Sequence, residues 1–548
     1  MSLHDLIPWH LLIPSKQAEL RGRRINQPRG KQLGGSSALN FMMLVYPSRI
    51  SLDAWGELGN EGWSYDALAP FLDKFATVHT PPKAAKDVVG LTYHDDTLVG
   101  NGPVQVSFSE GYGMTNSAWM KAFEKLGLSM TSDMRAGAAI GAFQQPASID
   151  PATKTRSYAA TAHYTEKIAA RPNLTVLTET VVKKVTFDSS EPEPIATGVV
   201  ATSKDGVDTV IKAREVILAA GSLMTPQILE LSGVGSKAIL NKFGIPIVVE
   251  NEGVGENLQD HPITCQSFEV KPEVPSSDVL RDPKVLELLI GEFQDGAQGP
   301  MGQSNISVAY IPLADGSGLC SVEAKKAMFV GKDDQVKGDD GKVLRRLLET
   351  TNEPPVEYLL FPGQVDTTLH TPGSMADYLL PTRPENFITV MTLQNHPFSR
   401  GSVHITSSDI NEKPAWDPNF NSNPLDYEIV GRHVQFVERL ISTEPFSDLL
   451  KPGGARFPDV KADTMEGAVE VIRQSQVSDF HPAGSCGMRP REKGGVVDSR
   501  LRVYGTRGLR VVDASIFPLE PVGNIQSLVY AVAEKAADMI KEDRRVAG

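Results

Sequence analysis

A layered α/β lobe joined to a second lobe built on an antiparallel sheet is the architecture this sequence predicts, and two patterns predict it. Three widely separated stretches read as a strand or tight turn leading into a helix, the arrangement that builds layered α/β sheets. Between the second and third of them lies a long region, about Pro262 to Phe480, of short β-rich runs broken by Pro and Gly. Such runs point to an antiparallel sheet with helices, forming a separate lobe.

The first stretch is Gly30 to Asn40, a glycine-rich turn before a mixed apolar segment. The second is Arg214-Glu-Val-Ile-Leu-Ala-Ala-Gly221, a buried strand, followed by a helix around Thr225 to Ser232 that Gly233 is suited to cap. In the intervening region Phe387-Ile-Thr-Val-Met-Thr and Gly401-Ser-Val-His-Ile-Thr read as strands, while Val322 to Asn352, rich in Lys, Asp and Gly, reads as a solvated insertion. The third stretch is the strand Leu509-Arg-Val-Val-Asp513 and a helix whose apolar Leu528, Val532, Ala536 and Ile540 recur every four positions. Glu534, Lys535 and Asp538 are expected on the opposite, polar face.

Composition narrows the partners. The 548 residues, 41% hydrophobic and 22% charged, lie in the range of soluble globular proteins and suffice for one large multi-lobed enzyme. With 54 basic against 67 acidic residues the net charge is -13, which repels phosphate backbones and anionic lipid, so no nucleic acid is expected as a partner. Cys265, Cys320 and Cys486 are far apart with no Cys-x-x-Cys pairing; neither a disulfide framework nor a metal site is read from them. No apolar run is long enough to span a bilayer. The opening Met-Ser-Leu-His-Asp shows no basic region ahead of an apolar core, so the chain as given is expected to be cytoplasmic by default.

The chemistry-bearing residues lie in a few motifs. Pro28-Arg-Gly-Lys-Gln-Leu-Gly-Gly-Ser-Ser-Ala-Leu-Asn40 concentrates Gly34 and Gly35 beside Ser36 and Ser37, where backbone N–H groups can approach an anion or a planar ring. By itself such a loop is an unspecific tight turn. The chain continues with Gly221-Ser-Leu-Met-Thr-Pro-Gln-Ile-Leu-Glu-Leu-Ser-Gly-Val-Gly235, Val254-Gly-Glu-Asn-Leu-Gln-Asp-His261, His481-Pro-Ala-Gly-Ser-Cys-Gly-Met488 and Val511-Val-Asp-Ala-Ser515. In this order, from about Arg21 to Asp543, they closely resemble the glucose-methanol-choline (GMC) oxidoreductase family, with the flavour of its fungal alcohol, aryl-alcohol and sugar oxidases.

The resemblance implies FAD and oxidation of a primary or secondary alcohol, with oxygen or an organic or protein partner as final acceptor. Oxidising a C–OH group requires a base for the hydroxyl proton and an acceptor for the hydride, roles that a neutral imidazole and a flavin fill. His481 is the expected base and Asn524 the second catalytic residue, an amide that stabilises the developing alkoxide. Asn524 also fits a helix cap ahead of Gln526. Along the flavin the resemblance implies Gly34, Gly35, Ser36 and Asn40 at the ring and ribityl chain, Val182 at adenine through its backbone, and Asp513 and Ala514 near the ribityl and pyrophosphate. Ser485 stands where the family commonly has Thr, keeping the hydroxyl, and His396, His404 and His433 read as surface or hydrogen-bonded core residues.

One family feature is missing. Members begin with a strand, a G-x-G-x-x-G turn and a helix whose N-terminus offsets the pyrophosphate charge. Here 29 residues precede Gly30, with Gly22 as their one glycine, and Gly253-Val-Gly255 belongs to a later motif. The flavin lobe is therefore expected to lack its first strand and loop, and FAD affinity to suffer. Two readings stand: a truncated oxidase, or an offshoot that uses His481 and Asn524 without flavin as a lyase, dehydratase or cyclase. The expected segments are 1–262, mostly flavin lobe; 263–395, substrate lobe; and 396–543, which finishes the substrate lobe and returns to the flavin lobe.

Overall fold

The antiparallel sheet expected between Pro262 and Phe480 organises the second lobe. In the computed structural model, which describes residues 9–12, 15–89, 99–130, 132–137, 140–296, 299–367 and 375–547, it has seven strands. Their order is Arg456–Phe457, Pro262–Glu269, Phe387–Gln394, Val356–Phe361, Ser307–Ile311 and Gly141–Gln144, with Gln476–Ser478 pairing farther along Pro262–Glu269. Every pairing is antiparallel. Gly141–Gln144 comes from far upstream and closes one edge.

Alternation along the strands gives the sheet two different faces. Phe268, Val390, Tyr358, Ala309 and Ala142 pack with Trp119 and Phe123 of the helix Met114–Lys125 and with Phe436, Val437 and Leu440 of the helix Pro424–Ile441. The opposite face carries Cys265, Met391, Leu393, Leu359 and Tyr310 into the main core shared with the first lobe. Glu357 lies on that same face, two residues from Leu359 and paired in register with Tyr310 and Leu393.

The first lobe holds the α/β stretches. Val216–Leu218 and Leu509–Val511 form a parallel pair, and each leads toward a helix, Thr225–Leu231 and Gln526–Ala547 respectively. Gly233 takes φ +83° after the first helix, in the left-handed cap conformation expected of it. Thr180–Asp188, Ile195–Ser203 and Asp208–Lys212 add a three-stranded antiparallel sheet, tied to the first helix where Val185 N–H donates to Ser232 Oγ at 2.8 Å. No helix among the described residues is long and apolar enough to cross a membrane.

Three expectations need correction. Gly30 to Asn40 is no strand-to-helix unit: the strand Gln27–Gly30 pairs with Trp9–Leu12, and a single 3-10 turn, Gly35–Ala38, comes next. Lys535 is buried, because its ammonium lies over the rings of Trp63 and Phe71 and donates to the Ala67 carbonyl; a cation over aromatic faces tolerates burial that a bare charge would not. Val322 to Asn352 is folded rather than a solvated insertion. It forms the helices Val322–Ala327 and Gly338–Thr350 and places Met328, Phe329, Leu344, Leu347 and Leu348 in the core. Asp340, in the first turn of the second helix, reaches Arg400 at 3.1 Å and Arg489 at 3.5 Å.

Candidate active site

The motif ending in His261 and the motif beginning at His481 are zipped together by their backbones. Gln259 and Ala483 exchange hydrogen bonds of 2.9 Å in both directions, and Gly255 N–H donates to Ser485 O at 2.8 Å. Ser485 Oγ donates to Ser222 O at 2.5 Å, so the hydroxyl shared by Ser and Thr is the part in use. Asp260 anchors the junction: its carboxylate accepts from Gln27 Nε2 at 2.8 Å, Ser478 Oγ at 2.6 Å and the His481 backbone N–H at 2.9 Å. Burial pushes the Asp260 carboxyl up to about 6, against the pull of these donors and of Arg29. Phe480, at φ +63°, turns the chain out of the strand Gln476–Ser478, and Arg29 holds its carbonyl at 2.7 Å.

This turn presents His481 toward Asn524. Asn524 Nδ2 lies 3.2 Å from His481 Nε2 and 3.2 Å from Asp479 Oδ2. Burial, reinforced by the Arg29 charge, lowers the His481 imidazole to about 3, so it is neutral at physiological pH. Burial also raises Asp479, with repulsion from Asp260 adding to it, so that the carboxyl beside the imidazole favours its neutral form. Asn524 Oδ1 is buried without a hydrogen-bond partner, so it accepts no helix N–H and the capping role is not made. A neutral base and an amide converging on one point can accept a proton and hold the oxygen that loses it.

The residues expected along a flavin fall into three groups. Gly34 and Gly35 take φ +89° and +53°; a Cβ on Gly34 would strike the Tyr158 ring at 2.7 Å, whereas one on Gly35 would meet nothing within 4 Å. Ser36 Oγ accepts from Gly30 N–H, and Asn40 donates to Gln526 Oε1 at 2.8 Å, which links this loop to the helix beside Asn524. Asp513 is filled by the protein: it accepts from Gly221 N–H, Thr225 Oγ1 and Ser515 N–H at 2.9, 2.6 and 2.8 Å. Ala514 accepts from Gly484 N–H at 3.1 Å, which joins it to the His481 loop. Val182 sits apart, beside a bulge in the strand Thr180–Asp188.

Two glycines near this loop leave their backbone uncovered. The run Gly34–Asn40 is half-buried throughout, and a Cβ on Gly221, at φ +83°, would also meet open space. Gly35 and Gly221 are thus places where a planar or extended group could approach the backbone closely. The sequence contains no G-x-G-x-x-G turn, and the Gly221 N–H is already taken by Asp513.

Several groups around the site were not singled out in the sequence: His261 and Asp479, which approach His481, Glu520, which lies beside His261, and Glu357, which feels Asp479. His261 Nδ1 lies 3.0 Å from His481 Nδ1, and Asp479 Oδ2 lies 3.4 Å from the same nitrogen. Glu357 and Glu520 are buried with no hydrogen-bond partner for either carboxyl oxygen, and burial raises both well above the ordinary carboxyl range. Position in the Asp260-His261 pair was the one available signal for His261; the others sit in stretches without a motif. His433 bonds the Tyr358 hydroxyl, His404 lies between Glu230 and Glu256, and His396 meets the Glu520 carbonyl, all structural roles as expected.

Comparison with known proteins gives the same outline. Residues 15–263 match the N-terminal domain and 397–533 the C-terminal domain of the GMC oxidoreductases. The chain is 31% identical over 542 residues to the GMC oxidoreductase family protein Mala s 12 of Malassezia sympodialis, covering 96% of this chain and 82% of that protein. It is 30% identical over 544 residues to the dehydrogenase citC of Monascus ruber, covering 96% and 86%. An FAD-dependent oxidoreductase from Chaetomium thermophilum superposes with a TM-score of 0.85 at 26% identity, over 98% of this chain and 91% of that one. A fungal aryl-alcohol oxidase gives 0.83 at 27% over 100% and 91%, and the formate oxidase of Aspergillus oryzae 0.80 at 26% over 98% and 88%.

Proposed function

Because the chain belongs to the GMC oxidoreductase family, for which FAD-dependent oxidation is the general chemistry, we propose that it oxidises a primary or secondary alcohol with His481 as the base. The observation that carries this reading is the convergence of a neutral His481 Nε2 and the Asn524 amide at 3.2 Å. An alcohol oxygen placed within hydrogen-bond reach of both would give its proton to Nε2 while Asn524 Nδ2–H, released from Nε2, holds the oxygen. Bound FAD would supply the hydride acceptor. Burial keeps the His481 imidazole neutral, so its Nε2 is free of a proton before the alcohol binds.

Gly34, Gly35, Ser36 and Asn40 would lie along the ring and ribityl chain, and Asp513 and Ala514 toward the pyrophosphate, with the Val182 backbone at adenine. Asp513 would act chiefly by holding the Gly221 turn in shape, since its oxygens are occupied by protein donors. The aryl-alcohol oxidase and formate oxidase neighbours both bear names of reactions that remove hydride from an oxygen-bearing carbon, which supports the reaction type. The electron acceptor would be oxygen or an organic or protein partner.

The test is the absorption spectrum of the purified chain, with and without added FAD, followed by anaerobic mixing with a panel of primary and secondary alcohols. Bleaching of the flavin band by an alcohol is the expected result. Turnover by a colourless protein would overturn the redox reading in favour of proton transfer alone, and bound flavin that no alcohol reduces would overturn the alcohol assignment.

A further inference from the structure

His261 closes a chain of hydrogen bonds that reaches the reacting nitrogen from behind. It precedes the strand Pro262–Glu269, is fully buried, and meets His481 edge to face, with ring centroids 5.2 Å apart and planes at 86°. Its Nε2 lies 2.9 Å from the Asn395 carbonyl oxygen. A carbonyl only accepts, so the Nε2 of His261 carries the ring hydrogen. A neutral imidazole has one such hydrogen, which leaves His261 Nδ1 as a lone pair, 3.0 Å from His481 Nδ1. For that contact to be a hydrogen bond, His481 must donate from Nδ1, and its own lone pair must be on Nε2, beside Asn524.

We propose that His261 is a positioning residue that holds His481 in its Nδ1–H tautomer, with the Nε2 lone pair directed at Asn524 and the substrate oxygen. This rests on the alcohol-oxidation reading for its consequence in catalysis, but not for the tautomer itself.

Several surrounding groups are consistent with that assignment. Asn524 Nδ2 donates to His481 Nε2 at 3.2 Å, which requires a lone pair there. Asp479 Oδ2 lies 3.4 Å from His481 Nδ1 and accepts from Asn524 Nδ2 at 3.2 Å, so it does not displace His261 as the nearer acceptor for the Nδ1 hydrogen. Glu520 Oε2 is 3.5 Å from His261 Nε2, too long to compete with the carbonyl at 2.9 Å. Burial, and repulsion from His481, drive His261 well below the ordinary imidazole value, so it does not gain the second ring proton that would make Nδ1 a donor. The anchor is rigid as well: Asn395 N–H donates to Pro355 O at 2.8 Å, its Nδ2 donates to Pro354 O at 3.0 Å, and its Oδ1 accepts from Gly523 N–H at 3.0 Å. One residue therefore sets both the His261 tautomer and the backbone entering Asn524.

The assignment matters because an imidazole free in water favours the opposite, Nε2–H form, in which the nitrogen facing the substrate has no lone pair to offer. When the substrate O–H bond breaks and Nε2–H forms, the resulting imidazolium keeps its Nδ1–H donated to His261, so no second rearrangement is needed. The tautomer at a catalytic histidine is set by the bond its other nitrogen makes, and holding the wrong one costs as much as about 10⁴ in rate elsewhere.

The full chain labelled with ¹⁵N-histidine tests this, with the His481→Ala variant used only to assign the resonance. The expected spectrum has His481 Nδ1 protonated and Nε2 bare at neutral pH. His261→Phe, which keeps an aromatic ring but removes the acceptor, should move the proton toward Nε2 and lower kcat for flavin reduction by about 10²-fold or more with little change in KM. His261→Gln, whose amide offers both an N–H for Asn395 and a carbonyl for His481, should recover most of both. A wild-type His481 protonated at Nε2 would overturn the proposal outright, as would a folded Phe variant that keeps the Nδ1–H tautomer and normal kcat. If the Phe variant does not fold, the wild-type resonance still decides. If no alcohol is oxidised the catalytic consequence falls with the functional reading, while the tautomer stands or falls on the spectrum.

Discussion

Replacing Asp340 by Ala should destabilise the protein by about 3 kcal/mol, although the sequence around it looks like a solvated loop. The carboxylate lies between two guanidiniums, 3.1 Å from Arg400 and 3.5 Å from Arg489, and only 14% of its side chain reaches solvent. Removing one partner of a buried ion pair costs about 3–5 kcal/mol because the other charge is left unpaired. Here the lower end applies: Arg400 also donates to Pro397 O, Ser399 O and Asn257 Oδ1, and Arg489 to Asn257 Oδ1 and Pro518 O, so both keep acceptors. Asp340→Asn keeps an acceptor oxygen and should lose roughly half as much. Burial pushes the Asp340 carboxyl up, but Arg400 and Arg489 outweigh it and leave it below its ordinary value. Its stabilisation is therefore complete above the ordinary carboxyl range and lost as pH falls through the lowered folded value, so wild type and Asp340→Ala should converge in acid. Urea unfolding followed by tryptophan fluorescence at pH 7 and at decreasing pH measures the difference. A loss below about 0.5 kcal/mol at pH 7, the value usual for an exposed residue, would refute the reasoning.

Other substitutions probe the site. His481→Ala should lower flavin reduction by about 10²- to 10⁴-fold with an unchanged circular-dichroism spectrum; near-normal turnover would remove His481 from the mechanism. Asn524→Ala should cost less than His481→Ala, at most about 3–4 kcal/mol of barrier, and a variant that only melts earlier with unchanged kinetics would leave the amide a purely structural role. Burial holds the Glu357 carboxyl well above its ordinary value, and the Asp479 carboxyl nearby acts in the same direction. A raised carboxyl is most stabilising below its unfolded value and loses stability as pH rises, so Glu357→Gln, which does not titrate, should melt above wild type at pH 8 and approach it near pH 4. A gap that is absent or larger in acid would count against a neutral Glu357.

How much of this was legible in the sequence depends on what kind of signal each element leaves. The strand at Phe387 and the stop at Gly233 obey local rules, a β-rich run and a left-handed cap, and the structure has them in place. The 3-10 turn after Gly30 is less regular than a strand-to-helix unit, because a glycine-rich run signals a change of direction without specifying the next element. Val322 to Asn352 misleads for a different reason. Lys, Asp and Gly dominate it, yet Phe329, Leu344, Leu347 and Leu348 lie on inward faces, and its acidic residue at position 340 is drawn in by arginines 60 and 149 residues away in sequence. Lys535 was misplaced by the same blindness, since its partners Trp63 and Phe71 lie at the other end of the chain.

The candidate site divides along the same line. His481 and Asn524 were found because their types recur in a recognisable order of motifs, and the structure puts them 3.2 Å apart. What makes them chemically useful was not legible, because it depends on neutrality rather than on charge. Asp479, Glu520 and Glu357 are all displaced by burial toward their uncharged acids, and His261 and His481 toward uncharged imidazole. A sequence shows five titratable groups there; the fold favours the neutral form of each, and among them only Asp479 and His261 approach His481, which also feels the Arg29 charge. In the proposed reaction, a proton arriving at the buried His481 Nε2 and the negative charge it leaves on oxygen would be weakly screened, so the few dipoles aimed at them would count for more than in water. On one side that dipole is the Asn524 amide; on the other it is the His261 lone pair, which is why the proposed bond from Asn395 through His261 would bear on catalysis from the far side of the His481 ring.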